Sequence, residues 1–385
     1  MNAMIDYWFT IEPYVFVAIT NQSVLLYNTL DGVILESDKV EVVELLQETL
    51  LKENCGVVLL TNKRYTQNNV NSFIHEIREK YMGDIIDVSL SKGKPVQLLS
   101  YFNFRKNNEI YKKHNFSSRK NVLDNLSEIN LHVDSTTNVF KLICFLQSIR
   151  KNLTFNIIGD IRTVANCNEM LFFLNQLNSV KNIFSSYKNV PSIQPAYNNN
   201  FAYQISICFP IDVQQWMKAK EILFNQTLSV EYIFDVSSEE DCLEAEQFVT
   251  QFQIEKYRLK PVYTGSNIRF FEENVFLSKE DILSVHQTVK DIFSHQAINV
   301  YDYGKINIIS NGDVYANLNH EVLGNIYVDN IYEIVQKEVS KGESWFRIRD
   351  QAPCSNCVYQ WICPSPSDYE ILIGRPNLCS VIKGN

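Results

Sequence analysis

VEYIFDVSSEEDCLEAEQFVTQFQIEKYRLKPVY, residues 230–263, is the run that sets the fold class. Val230–Asp235 predicts a strand, Glu239–Phe252 a helix opened by Ser237-Ser238, and Tyr257–Tyr263 a second strand. Glu239, Glu240 and Asp241 fall in that helix's first turn, where the helix dipole favours carboxylates, so the acidic cluster needs no functional role. Strand, helix and strand in so short a span call for parallel pairing through a right-handed crossover.

The same alternation extends from Lys94 to about His295. Further predicted strands are Val96–Phe104, Ile129–Val133, Phe155–Ile158 and Gln204–Phe209. Predicted helices are Arg119–Leu126, Val139–Arg150, Glu169–Ile183 and Gln214–Leu223, with Lys279–Phe293 closing the region. The fold class is therefore α/β, as an open doubly wound sheet or as a complete or partial barrel. Function in such folds sits at the C-terminal strand ends. Asp134, Gly159-Asp160 and Asp235 stand there, with no His or Cys expected beside them. The six histidines (75, 114, 132, 286, 295 and 320) are isolated and read as structural or solvated.

Before this region lies a small α+β unit. Tyr14–Thr20, Ser23–Thr29 and Gly32–Glu36 predict a three-stranded sheet, with Asp31-Gly32 as a hairpin turn. Val40–Leu50 has helical spacing with Asp38 as its cap, Gly56–Thr61 predicts a strand, and Val70–Tyr81 a second helix ended by Gly83. The expected domains are 1–90, 91–295 and 296–385.

At 385 residues, with 45% hydrophobic content, the chain is long enough to bury a sizeable core. A net charge of -9 disfavours non-specific nucleic-acid binding. No apolar run approaches the roughly 20 residues needed to span a bilayer. MNAMIDYWFTIEPY does not read as a secretory segment, so a cytoplasmic location with reduced thiols is expected. Arg105, Lys106, Lys112, Lys113, Arg119 and Lys120 crowd one connector, as a solvated loop or a contact surface for an acidic partner.

Four of the nine cysteines stand in PCSNCVYQWICPSPSDYEILIGRPNLC, residues 353–379. Cys354, Cys357, Cys363 and Cys379 are spaced C-x2-C-x5-C-x15-C, a four-sulfur shell for a soft metal centre. A pair of disulfides is the competing reading, which reduced thiols disfavour. Cys55, Cys144, Cys167, Cys208 and Cys242 are singletons. There is no P-loop, G-x-G-x-x-G, HExxH or G-x-S-x-G.

INIISNGDVYANLNHEVLGNIYVDNIYEI (306–334), followed by the cysteine run, resembles a SPASM domain, the accessory-cluster region of radical SAM enzymes that modify peptides. Gly312, Leu323-Gly324-Asn325 and the four cysteines match its pattern. The resemblance implies one 4Fe-4S cluster on Cys354, Cys357, Cys363 and Cys379, with zinc as the alternative occupant. Tyr359, Trp361, Pro364 and Pro366 would shield and shape it. The family's second auxiliary cluster needs cysteines where Asn317 and Ser367 stand, and a further one upstream of Gly312, so it is implied to be lost.

The middle region is similar in layout to a radical SAM partial barrel. The family carries C-x3-C-x2-C after its first barrel strand. The matching loop RKNNEIYKKHNF (105–116) has no cysteine, and Val133-Asp134-Ser135-Thr136 stands where Gly-Gly-Glu is expected. The resemblance thus implies no S-adenosylmethionine chemistry and no catalytic residue.

Together with the ending CPSPSDYEILIGRPNLC, the chain resembles the pseudo-radical-SAM proteins of Bacteroidales peptide-maturation systems. Expected partners are a precursor leader peptide and an intact radical SAM maturase, with residues 1–90 similar in element order to a leader-gripping unit. An electron-transfer protein with a single cluster and a zinc-stabilised binding module are the alternatives.

Overall fold

The computed structural model describes residues 5–100, 103, 122–149, 152–192, 201–225 and 229–381. Alternating apolar residues near the N-terminus make β1 (Tyr7–Ile11) and a meander of β2 (Val15–Ile19), β3 (Val24–Asn28) and β4 (Ile34–Ser37). Then come α1 (Val40–Thr49), β5 (Val57–Leu60), α2 (Asn62–Tyr65), α3 (Asn68–Glu79) and β6 (Gly83–Asp87). β1 lies between β5 and β6, antiparallel to both. The unit therefore holds two three-stranded sheets where the sequence predicts one.

The hairpin at Asp31-Gly32 forms as expected. Gly32 sits at φ +77°, which favours glycine, while Val33 donates its N–H to the Asp31 carboxylate at 2.9 Å. Asp38 does not cap α1. Lys39 holds the N-cap position without a side-chain bond, and Asp38 instead pairs with Lys39 at 2.9 Å.

All five residues of β3 are buried, because both faces of the meander are covered. Val24 and Leu26 join Val15, Val17, Leu35 and the apolar sides of α1 and α3. Leu25 and Tyr27 join Phe16 and Ala18 on the opposite face, against the far end of the chain (Ile348, Tyr359, Trp361, Ile362). Full burial of each such side chain contributes about 1.5–3 kcal/mol.

The predicted strand at 96–104 does not form where it is described. Residues 96–100 form no strand, and 101, 102 and 104 lie outside the described residues. This segment instead straps the N-terminal unit: Gln97 N–H donates to Cys55 O at 3.0 Å and Ser100 Oγ to Pro13 O at 2.6 Å. Asn103 then bonds the outer edge of β2, accepting from Val17 N–H (2.8 Å) and donating to Val15 O (2.9 Å). Its single carboxamide stands in for a neighbouring strand there. The basic connector and the loop 105–116 lie outside the described residues, and of the predicted helix 119–126 the described part is a 3-10 turn over Val122–Asn125.

The large sheet begins at β7 (Glu128–Val133). It continues through α4 (Val139–Leu146), β8 (Thr154–Gly159), α5 (Cys167–Gln176), β9 (Val180–Ser186), β10 (Ala202–Cys208), α6 (Val213–Asn225), β11 (Val230–Val236), α7 (Glu239–Phe252) and β12 (Tyr257–Pro261). β7 to β12 lie side by side in sequence order, each parallel to the next. This order decides between the two α/β alternatives. Right-handed crossovers between strands added in one direction put every helix on the same face, whereas a doubly wound sheet must reverse direction. Among the described residues the sheet does not close, so it is a partial barrel.

β9 overturns the predicted helix over 169–183. α5 stops at Gln176, and Val180–Ser186 pairs with β8 and β10. The apolar periodicity of 169–177 runs into a strand whose pairing on both sides outweighs local helix preference. The predicted helix Lys279–Phe293 is likewise two helices, after α8 (Ile268–Asn274): α9 (Lys279–Ser284) and α10 (Val289–Ala297). Each opens with its own capping box, Ser278/Asp281 and Thr288/Asp291. Ser238 caps α7 as expected.

Beyond α10, β13 (Lys305–Ile308) adds parallel to β7, and β14 (Asp313–Tyr315) and β15 (Gly324–Asn325) continue antiparallel. α11 (Ile331–Lys341) and α12 (Asp368–Ile373) follow. The helix-covered face buries Ile129, Leu131, Phe155, Ile157, Ile205 and Trp216. The other face carries an in-register row of carboxamides, Asn182 to Asn156 (2.8 Å), Asn156 to Asn130 (2.8 Å) and Asn130 to Asn307 (3.0 Å). No helix of the described residues is long and apolar enough to cross a membrane.

Candidate metal centre

Cys354, Cys357, Cys363 and Cys379 line one small cavity together with Arg349, Tyr359, Gln360 and Ile282. The first three reach it through a tight run of turns: Cys357 N–H donates to Cys354 O at 3.0 Å and Cys363 N–H to Tyr359 O at 2.8 Å. Cys379, 16 residues on from Cys363, is brought back by pairing with the segment before α9. Leu277 N–H donates to Leu378 O and Ser380 N–H to Leu277 O, both at 3.0 Å. All four are unbridged in this structure.

Burial pushes three of these thiols up, those of Cys354, Cys357 and Cys363. Cys363 rises to about 12 and Cys357 to about 11, with desolvation the main cause in each. Cys354 also rises by desolvation, opposed by the Arg349 guanidinium. Each of these three also interacts electrostatically with Cys379. Arg349 is buried, pairs with the equally buried Glu370 at 2.9 Å, and reaches Cys354 Sγ at 3.7 Å. Asn377 Nδ2 lies 3.2 Å from Cys379 Sγ.

The donor set fits an iron–sulfur cluster. It offers four sulfurs around one cavity, N–H groups aimed at two of them, and a cation to offset thiolate charge. Among the described residues no group of three His, Cys, Asp or Glu side chains stands in a geometry that would hold a metal ion. Tyr359 lines the cavity, and Trp361 packs in the same apolar cluster as Cys363. Pro364 O and Pro366 O accept from Arg349 and Arg347.

Asn317 and Ser367 meet in a polar network. Asn317, 3% exposed, donates to Asp302 at 3.1 Å and Asp368 at 2.6 Å. Arg347 lies 3.6 Å from both carboxylates and donates to Ser367 O at 3.2 Å. Burial, then the Asp368 charge, raises Asp302 to about 6.

The remaining cysteines are spread over separate elements: Cys144 on α4, Cys167 at the start of α5, Cys208 at the end of β10, Cys242 on α7 and Cys55 in the N-terminal unit. One strand-end expectation needs correcting. Asp235 does have a cysteine partner, since Cys208 Sγ donates to its Oδ2 at 3.4 Å and Lys260 lies 3.7 Å away. The two residues are register partners on β10 and β11, which linear spacing hides. Burial and Asp235 both raise the Cys208 thiol, which opposes a nucleophilic role. Asp134 bonds Thr136 and Asp160 pairs with Arg162. His132, His295 and His320 bond Asn307, Trp361 O and Ser344 respectively.

No protein-family model matches the chain, and none of the curated proteins matches it. Among solved structures, it is similar to "Native anSMEcpe with bound AdoMet and Cp18Cys peptide" at 11% identity and a TM-score of 0.43, over 61% of this chain and 88% of that one. A second, "Native anSMEcpe with bound AdoMet", gives the same identity and score over 62% and 88%. The α/β partial-barrel class stands on the strand order and register described above.

Proposed function

We propose that this chain is a non-catalytic accessory protein for maturation of a ribosomally made, post-translationally modified peptide, and that it holds the precursor, a partner radical SAM maturase, or both. The placement of the cysteines carries this reading. Four converge on one cavity at the C-terminus, and of the other five, four stand on four separate elements and Cys55 in a turn of the N-terminal unit. Opening S-adenosylmethionine reductively requires three thiolates from one loop, with one iron left free. No C-x3-C-x2-C occurs in the chain, and the sequence 105–116, where the resemblance puts that motif, has no cysteine.

A bound 4Fe-4S cluster would supply one-electron transfer and structural bracing at Cys354, Cys357, Cys363 and Cys379. Arg349 and Asn377 would donate to its sulfur ligands, and Tyr359 and Ile282 would limit water access. The network at Asn317 supports a single centre, because amide, carboxylate and guanidinium groups pair with one another where the family's second set of thiolates would stand. Cys357 and Cys379 are only half-buried, so a centre held by them would lie near the surface, which favours electron transfer as the second reading.

The β5–β1–β6 sheet of the N-terminal unit offers an extended peptide two edges, since β5 and β6 each pair on one side among the described residues. Beside β6 a groove is lined by Tyr14, His75, Arg78, Tyr81 and Asp84. A peptide added to β6 would receive main-chain bonds from the strand and side-chain contacts from α3. The experiment is titration of the full chain with the leader peptide of the precursor encoded beside it, alongside Ile85→Pro. The Ile85 N–H bonds the Asp84 carboxylate rather than β1, so the substitution blocks the outer edge and spares the sheet. Binding weakened at least about tenfold supports the site. Unchanged binding removes β6 as the site, and no binding of either precursor or maturase contradicts the accessory role.

A further inference from the structure

The meander β2–β4 and the cysteine loop share one buried apolar cluster, although nearly the whole chain separates them. Phe16, Leu25 and Tyr27 pack with Ile282, Tyr359 and Cys363. Ile282, Tyr359 and Cys363 also line the cysteine cavity, so the same side chains form the wall between that cavity and the underside of the sheet. Polar bonds fix the contact at its rim. Tyr359 donates its hydroxyl to Glu36 on β4, Lys279 pairs with the other Glu36 oxygen at 2.7 Å, and Gln287 N–H donates to Tyr27 Oη at 2.7 Å.

We infer that occupancy of the four-cysteine centre sets how firmly the N-terminal sheet is held, so that metal loading and ligand binding by residues 1–90 are energetically coupled. This rests on the reading that the four cysteines hold a metal centre. The segment Ser355–Cys363 contains only turns and a 3-10 step closed by short-range backbone bonds, so a bound centre would add the brace that ties it to the distant Cys379. When the thiols are empty the loop relaxes, Tyr359 and Ile362 withdraw from Leu25 and Tyr27, and the meander keeps one packed face of two. Linkage requires the converse: a ligand that tightens the meander retains the metal more strongly.

The test is amide hydrogen exchange on the full chain, loaded anaerobically with iron and sulfide or stripped by chelator, with metal content measured first. Stripping should speed exchange across residues 15–37 by roughly tenfold while β8 in the large sheet is unchanged. Uptake of neither iron nor zinc defeats the metal-centre reading, and this inference with it. Metal uptake with unchanged exchange at 15–37 overturns the coupling alone. If stripping unfolds the whole chain, Tyr359→Phe decides, since it keeps all four thiols. Loaded Tyr359→Phe should have normal metal content, lose metal faster to a competing chelator and exchange faster at 15–37. Wild-type values on both counts overturn the coupling.

Discussion

Tyr359, between the second and third cysteines of the C-terminal run, donates its hydroxyl hydrogen to Glu36 on β4, 323 residues away. Lys279 bonds the same carboxylate, but its side chain is 41% exposed, so that ion pair contributes little. Glu36→Ala should therefore cost about 1 kcal/mol, a Tm loss of about 2 °C. Lys279→Ala should cost less, because the tyrosine bond survives. Thermal unfolding of both variants checks this, and a larger loss for Lys279→Ala would refute the ranking.

Cys357→Ser should lower both metal content and the stability of the C-terminal region, since closed thiolate sites contribute directly to folding. Cys208→Ser should leave metal content unchanged, because Cys208 lies at a strand end bonded to Asp235. Elemental analysis with acid-labile sulfide distinguishes iron–sulfur from zinc in the same samples. Unaltered stoichiometry in Cys357→Ser would remove the ligand assignment.

Glu338 on α11 predicts a pH effect. Its carboxylate accepts from Ser344 N–H at 3.0 Å and Trp345 N–H at 2.6 Å, yet burial raises it from 4.5 to about 7. Between those values the native state keeps a proton that the unfolded chain releases, so this group's stabilising term falls as pH rises through the window and levels off above it. Glu338→Gln keeps an acceptor and removes the ionisation. The stability difference between Glu338→Gln and the native chain should grow in the variant's favour from pH 5 to pH 8, by up to about 3 kcal/mol. Denaturant midpoints measured at both pH values check the slope, and a difference independent of pH would exclude it.

The strand–helix–strand unit at 230–263 is legible because every local preference agrees with its place in the sheet. Ser238 caps the helix, and acids fill its first turn. The C-x2-C-x5-C-x15-C run is legible too, though the pairing of Leu277 with Cys379 that closes it is non-local. What escapes reading is set by long-range pairing. β1 and β6 are short runs that become strands only beside each other, and Val180–Ser186 continues an apolar pattern that looks helical until β8 and β10 flank it. The Asn103 strap and the Cys208–Asp235 contact leave no spacing signal, because each joins residues through the fold rather than along the chain. Two capping boxes in 278–291 are visible in sequence as Ser-x-x-Asp and Thr-x-x-Asp, and they mark the helix break that apolar periodicity alone misses.

The central claim is that this chain carries a cysteine centre without S-adenosylmethionine chemistry. The direct measurement is anaerobic incubation of the reconstituted full chain with dithionite and S-adenosylmethionine, followed by assay for 5′-deoxyadenosine. No product above a no-protein control is the predicted result, and protein-dependent product would contradict the account.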